Sequence, residues 1–367
     1  MRSIYIIVLI LNVLIVKAES KYSFGGRLFL DGGVFLNSPK SFNSGVCIPD
    51  LRFTGKAYFS DGWYTKLDVG FASNKVKLKD AFLQKTKDRN TFRLGYMIGM
   101  FSLDQSSSTN DYLFMTGSNV AETFYPDRRI GISYTFSESK LYFSGGAFCG
   151  DGLNFNNNIR QGFNFTARFV YRPINNNNCL LHIGVGGLYK RPDKNIDTGE
   201  TSISFKNSGI TYLHVPYVFD SEITNVKDQL QWGVESILHY HRMFLQGEIM
   251  GMAVRKHHLP DYYALGTYLE GGFFILGRKL GYDQLDALPT CPDKDGSLAV
   301  FSRISYTDLN DFAIKYGSLF DISLGINYYI NNNIIVKLNY SNVRTDKFSA
   351  IGKSEYSLIQ SRIQIRF

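Results

Sequence analysis

The chain has 367 residues, 15% of them aromatic with 24 Tyr and 29 Phe, only nine Pro, and a formal net charge of +8. Its Lys and Arg are spread along strand-like stretches instead of clustered as a patch or helix face, which argues against a nucleic-acid partner and for a field acting on small anions. No apolar run reaches the roughly 20 residues a membrane helix needs, so a membrane position would require a closed sheet.

Met1-Arg2-Ser3, the apolar run from Ile4 to Val16 and the small residues around Val16-Lys17-Ala18 read as a secretory signal peptide, residues 1–18, cut after Ala18. Residues 19–367 show no linker-like break and are expected to form one domain. Over 22–36, Arg27 and Asp31 alternate with Phe24, Leu28 and Leu30. Over 51–59, Arg52, Thr54 and Lys56 alternate with Leu51, Phe53 and Ala57; after a Ser60-Asp61-Gly62 turn, Lys66 and Asp68 alternate with Leu67 and Val69. A side-chain period of two is the mark of a strand with two unlike faces. Further such stretches fall near 76–86, 91–98, 129–136, 140–148, 161–171, 180–190, 230–240, 243–256, 261–273, 297–307, 318–330, 333–344 and 355–367, making sixteen.

The last stretch sets Ile359, Ile363 and Ile365 against Gln360, Arg362, Gln364 and Arg366, and ends on Phe367. A soluble sandwich would bury the apolar face, whereas a membrane barrel turns it to lipid and lets the polar face enclose water. Turns near 60–62, 137–139, 241–242 and 331–333 are short, while 99–128, 191–229 and 308–317 are longer. An even strand count with short turns on one side and long loops on the other predicts an all-β, sixteen-stranded antiparallel transmembrane β-barrel of the bacterial outer membrane. The terminal Phe367 resembles the signal read by the barrel-assembly machinery.

Several stretches in order resemble the phosphate-selective porin O and P family: Phe24-Gly-Gly-Arg-Leu, Phe53-Thr-Gly-Lys-Ala-Tyr, Lys77-Leu-Lys-Asp-Ala-Phe-Leu, Leu94-Gly-Tyr-Met-Ile-Gly-Met-Phe-Ser-Leu, Ser106-Ser-Ser-Thr, Ser305-Tyr-Thr-Asp-Leu-Asn-Asp and Leu324-Gly-Ile-Asn-Tyr-Tyr-Ile-Asn. The resemblance implies a homotrimeric porin in outer-membrane lipid that passes small anions or solutes through a basic constriction, with the loop near 99–128 folded inward. Arg27 matches the family's first-strand arginine. The family's paired constriction arginines fall near Cys47-Ile48, its loop lysine at Gln105 and a further arginine at Tyr96, so phosphate preference is not implied and general anion passage is expected.

The candidate pore-lining, anion-attracting residues are the polar-face cations Arg27, Arg52, Lys56, Lys66, Arg93, Arg168, Arg303, Lys337 and Arg362, with Gln105, Asn110 and Tyr112 as candidates in the constriction loop. Rings of Lys and Arg concentrate anions, and Arg offers two parallel donors to an oxyanion. The alternative for any one of them is neutralisation by a carboxylate such as Asp31 or Asp68. His239-x-His241 and His257-His258 lack a Cys or carboxylate at a fitting offset, so no metal or other cofactor is expected. No nucleophile elbow or triad signature points to an enzyme. The contrasting hypotheses are a non-conducting surface barrel, an adhesin or receptor acting through 191–229, and a secreted soluble β-protein. Counting strands places Cys47 and Cys149 on one side and Cys179 and Cys291 on the other; if bridges form, these are the expected pairs, with four free thiols as the alternative.

Overall fold

The computed structural model describes residues 20–367 except 73–74, 125, 151–157, 278 and 293–294; the expected signal peptide, 1–18, lies outside the described residues. Sixteen strands close into one antiparallel barrel. They are β1 (Lys21–Leu36), β2 (Gly45–Tyr58), β3 (Trp63–Gly70), β4 (Lys77–Lys87), β5 (Asn90–Met97), β6 (Arg129–Ser137), β7 (Leu141–Phe148), β8 (Phe163–Asn175), β9 (Cys179–Arg191), β10 (Val226–Tyr240), β11 (Met243–Lys256), β12 (Tyr262–Leu276), β13 (Ser297–Asn310), β14 (Lys315–Tyr329), β15 (Ile334–Thr345) and β16 (Ser354–Arg366).

The side-chain alternation sets the direction of every face. On β16, Arg362 and Gln364 are 1% and 0% exposed, while Ile363 is 46% exposed. The same outward belt carries Leu94, Ile132, Val185, Val234, Ile304, Leu324 and Leu338. A continuous apolar belt of this kind is foreign to soluble monomers and is what lipid requires of a barrel's outer surface. Toward the short-turn end it is bordered by exposed aromatics, among them Phe92, Phe143, Tyr171, Tyr240, Phe273, Tyr328 and Phe367. Rings of that type sit at the membrane–water boundary.

β2 begins six residues before the expected strand because it runs through Pro49. The register slips there: Phe29 faces Asp50, but Asp31 faces Cys47, so Ile48 and Pro49 bulge out of the ladder. A bulge tolerates a residue without an N–H donor. β10 likewise begins at Val226, and β13 and β14 extend until the connection expected over 308–317 shrinks to 311–314.

Closure depends on the meeting of β1 and β16. Their register runs from Arg27 opposite Arg366 to Leu36 opposite Ser357, and Gly26 and Phe367 exchange backbone hydrogen bonds of 2.7 and 3.1 Å. A Cβ on Gly26 would lie 2.3 Å from the Arg52 carbonyl oxygen and 2.7 Å from the Phe367 ring. Overpacking of this order costs about 1–3 kcal/mol. Gly26→Val is therefore expected to lose most of the folded, heat-modifiable band on gels; a wild-type yield of that band would contradict the importance of the seam.

Candidate functional site: a lumen along one wall of the barrel

Among the described residues, three connections turn inward and divide the interior. The first is 98–128, with two short helices, α1 (Leu103–Ser106) and α2 (Asn119–Thr123). Each begins with a serine side chain, Ser102 and Ser118, accepting from a backbone N–H of its first turn. The second is 192–225, which contains an antiparallel ladder of Ser202–Asn207 with Phe219–Thr224. The third, 277–296, leaves the short-turn side and carries a small ladder, Gly281–Asp283 with Leu288–Thr290.

The first two segments pack against β11–β16 because that wall is apolar on its inner face as well. Phe101, Val120 and Phe124 from 98–128 join Ile203, Phe205, Leu213 and Val218 from 192–225 over Met250, Met252, Tyr268, Leu319, Val343 and Leu358. Leu113 and Phe114 sit on Phe244, Ala299, Phe301 and Ile335. Wall side chains hold the loop's backbone. Glu248 accepts from the N–H groups of Leu103 and Asp104 at 2.7 and 2.9 Å. The Lys337 ammonium donates to the Tyr112 carbonyl, Asn327 to Leu113 at 2.9 Å, Arg303 to Thr116 at 3.2 Å and Gln364 to Asn110 at 2.9 Å. Within the loop, burial pushes the Asp104 carboxyl up; burial and the nearby Asp104 charge raise Glu122.

The remaining space is one continuous lumen of about 2130 Å³. At the short-turn rim Ser23, Tyr58, Thr86 and Arg366 line it, and at the long-loop rim Lys75, Lys77, Lys194 and Glu200 line it. Between the rims it follows β1–β6, where charges alternate in a chain. Arg27 meets Asp50 at 2.6 Å, and Arg52 bridges Asp50 at 3.0 Å and Asp68 at 3.1 Å. Lys66 reaches Asp80 at 2.8 Å, and Asp80 also takes Arg128 at 2.9 Å. Arg27 further touches the Ser108 hydroxyl at 3.4 Å, joining ladder to loop. Lys56 and Lys79 line the same wall. Among the described residues, fourteen Lys and Arg against eleven Asp and Glu line the lumen, before the terminal carboxylate of Phe367. The local pairs are neutral, so a small positive surplus sets the field.

Of the nine candidate cations, Arg27, Arg52, Lys56, Lys66 and Arg93 line this space. The other four face inward but are sealed. Arg168 lies under 277–296, paired with Glu235 at 2.7 Å. Arg303 stacks over Phe114, with its centre 4.4 Å from the ring. Lys337 is covered by Tyr112. Arg362 is paired with Asp31 at 2.7 Å and lies over the Phe29 ring. They are removed from the lumen because loops that alternation cannot foresee lie on top of them. Gln105, Asn110 and Tyr112 all reach the lumen, although Gln105 is also tied to the Ala121 carbonyl at 3.1 Å.

Lys77, Lys79, Arg128, Asp80 and Asp286 were not among the candidates, and all line the lumen. A signal for the filled half lies in Met250-Gly-Met-Ala-Val254, which is apolar at consecutive positions, not alternate ones. The interval between the twelfth and thirteenth strands was a second signal. The four cysteines are free thiols, and neither expected bridge forms. Cys47 donates to the Tyr212 carbonyl at 3.5 Å. Cys291, though it belongs to a short-side connection, is carried inward to the Asn110 carbonyl at 3.3 Å. Burial raises its thiol to about 12. His239 and His241 do not share a face, since His241 sits in a turn with φ of 53°.

The family described as phosphate-selective porin O and P matches residues 45–367. A protein of Caulobacter vibrioides described as uncharacterized is 23% identical over 327 residues, which is 82% of this chain and 64% of that relative, so the chain spans less than two thirds of its length. Among solved structures, an anion-selective porin from Comamonas acidovorans superposes with a TM-score of 0.63 at 12% identity, covering 95% of this chain and 100% of that one. OmpT of Vibrio cholerae, in its trimer form, gives 0.61 at 10% identity over 95% and 99%.

The buried Arg168–Glu235 contact yields a stability prediction. Arg168→Leu leaves a carboxylate in a dry site with His182 at 2.8 Å as its remaining ionisable partner. Stranding a buried charge costs about 3–5 kcal/mol. Urea unfolding followed through the two Trp residues should show that loss, and Arg168→Leu with Glu235→Leu should restore much of it.

Proposed function

Because the chain belongs to the phosphate-selective porin O and P family, we propose that it is an outer-membrane channel for passive diffusion of small solutes with a weak preference for anions. The observation that carries this reading is the lumen that reaches both rims along a wall with a surplus of Lys and Arg. Water fills such a space, and side-chain charge biases which ions enter it. Arg27, Arg52, Lys56, Lys66 and Arg93 are the anion-attracting groups in this reading. The structural neighbour from Comamonas acidovorans is itself described as anion-selective.

Three features argue for general passage over a phosphate-specific centre. The ladder arginines are already held by Asp50 and Asp68, position 105 is Gln and position 96 is Tyr. Ile203, Phe205, Ile210, Leu213, Val218, Phe219 and Ile223 of the 192–225 segment pack into the inner apolar cluster of the barrel, which weighs against a receptor built on that loop.

Strand length supports covering of one wall by further copies of the chain, which we read as a trimer. β3, β5 and β7 have eight residues and β6 has nine, so, tilted, they rise only about 20 Å. That is less than the apolar band of about 25 Å that such barrels present to lipid. Copies of the chain covering this low wall remove the mismatch; the Vibrio cholerae neighbour is recorded in a trimer form.

Reversal potentials in a planar bilayer under a KCl gradient test the channel reading. The native protein is expected to favour chloride. Lys56→Glu with Lys66→Glu should lower the anion-to-cation permeability ratio by about twofold or more, equivalent to about 0.4 kcal/mol, within the range of a screened surface charge. Cation preference in the native protein would refute the selectivity.

A further inference from the structure

Six connections on the short-turn side, 59–62, 88–89, 138–140, 176–178, 241–242 and 330–333, have two to four residues, whereas 277–296 has twenty. β12 and β13 are adjacent in the sheet, so nothing in the topology requires that length. The surplus crosses the barrel. From its roots on β12 and β13 the segment reaches Arg93 on β5, seven strands round a sixteen-stranded wall.

Its contacts run the whole way. Tyr282 shares a 2.9 Å hydrogen bond with His182 on β9. Arg172 on β8 donates to the Gln284 carbonyl at 3.1 Å. Arg168 on β8 donates to the carbonyls of Asp286 and Ala287 at 3.0 and 2.9 Å. The Asp286 carboxylate meets Arg93 at 3.1 Å. On the returning arm, the Cys291 N–H donates to Asp111 of the inward loop at 2.9 Å. The strap turns Asp283, Leu285, Asp286 and Pro289 toward the lumen.

Asp283 is largely occupied by its own turn, accepting from the N–H of Leu285 at 2.8 Å. Asp286 instead neutralises a wall cation. Arg93 is fixed independently, with Nε donating to Gln84 at 2.7 Å and its guanidinium over the Phe82 ring. Removing the Asp286 charge would therefore leave Arg93 in place and uncompensated.

We propose that Asp286, carried across the barrel by the 277–296 connection, is a selectivity-determining residue that sets the charge of the short-turn mouth by neutralising Arg93. This rests on the channel reading above. Bilayer recordings on the full-length protein test both, with heat-modifiable gel mobility confirming that the variant has folded. D286N is expected to raise the anion-to-cation permeability ratio about twofold or more, since one net positive charge is gained at the lumen wall. An unchanged reversal potential in folded D286N, with a conducting native protein, overturns the role of Asp286 and leaves the channel standing. No current from either folded protein overturns the channel and the role of Asp286 together.

Discussion

The constraint on which this structure depends is that a sheet in hydrocarbon can have no edge. Every N–H and C=O at membrane depth must be bonded within the protein, because lipid offers no partner. The pairing of β1 with β16 meets that demand for the whole barrel. It works because Gly25 and Gly26 leave room where the terminal Phe367 folds against the first strand. Once the sheet is closed, the alternation along each strand has only one assignment: apolar side chains to lipid, polar ones inward.

A closed barrel of sixteen strands leaves a wide interior, and here inward segments fill the part that lies against β11–β16. The filling is unlike a soluble core, because the inner wall supplies charged as well as apolar groups. Arg168, Glu235, Arg303, Lys337 and Arg362 are all nearly inaccessible, and burying charge is tolerated only with close partners. Each has such a partner: a carboxylate, a guanidinium, an aromatic face or a loop carbonyl. These contacts hold the backbones of the inward segments at many points. A loop tied at so many places is a fixed part of the pore, and what it leaves open runs along one wall.

That wall explains why a ladder of basic residues does not produce a strong anion field. Arg27, Arg52, Lys66 and Arg128 are threaded by Asp50, Asp68 and Asp80. Each carboxylate cancels most of the nearby positive potential, and screening by salt weakens the rest beyond roughly 8 to 10 Å. The carboxylates also hold the long side chains in fixed positions, so the lumen keeps its shape. Selectivity then depends on a small surplus over the pairs, a quantity that one or two residues at a narrow point can change.

The alternation of Gln360, Arg362 and Gln364 with Ile359, Ile363 and Ile365 was enough to assign strands, faces and the closed antiparallel sheet. It sufficed because strand geometry and the lipid boundary are local constraints, legible from neighbouring residues. The first-strand arginine and the cations of β2 and β3 could be placed in the lumen for the same reason. The tertiary structure alone decided which inward residues meet water. Arg168 and Arg27 occupy equivalent positions in the alternation, yet one lies beneath Asp286 and Ala287 and the other borders the pore. That difference comes from where residues more than a hundred positions away fold back into the barrel, and no period along a strand encodes it.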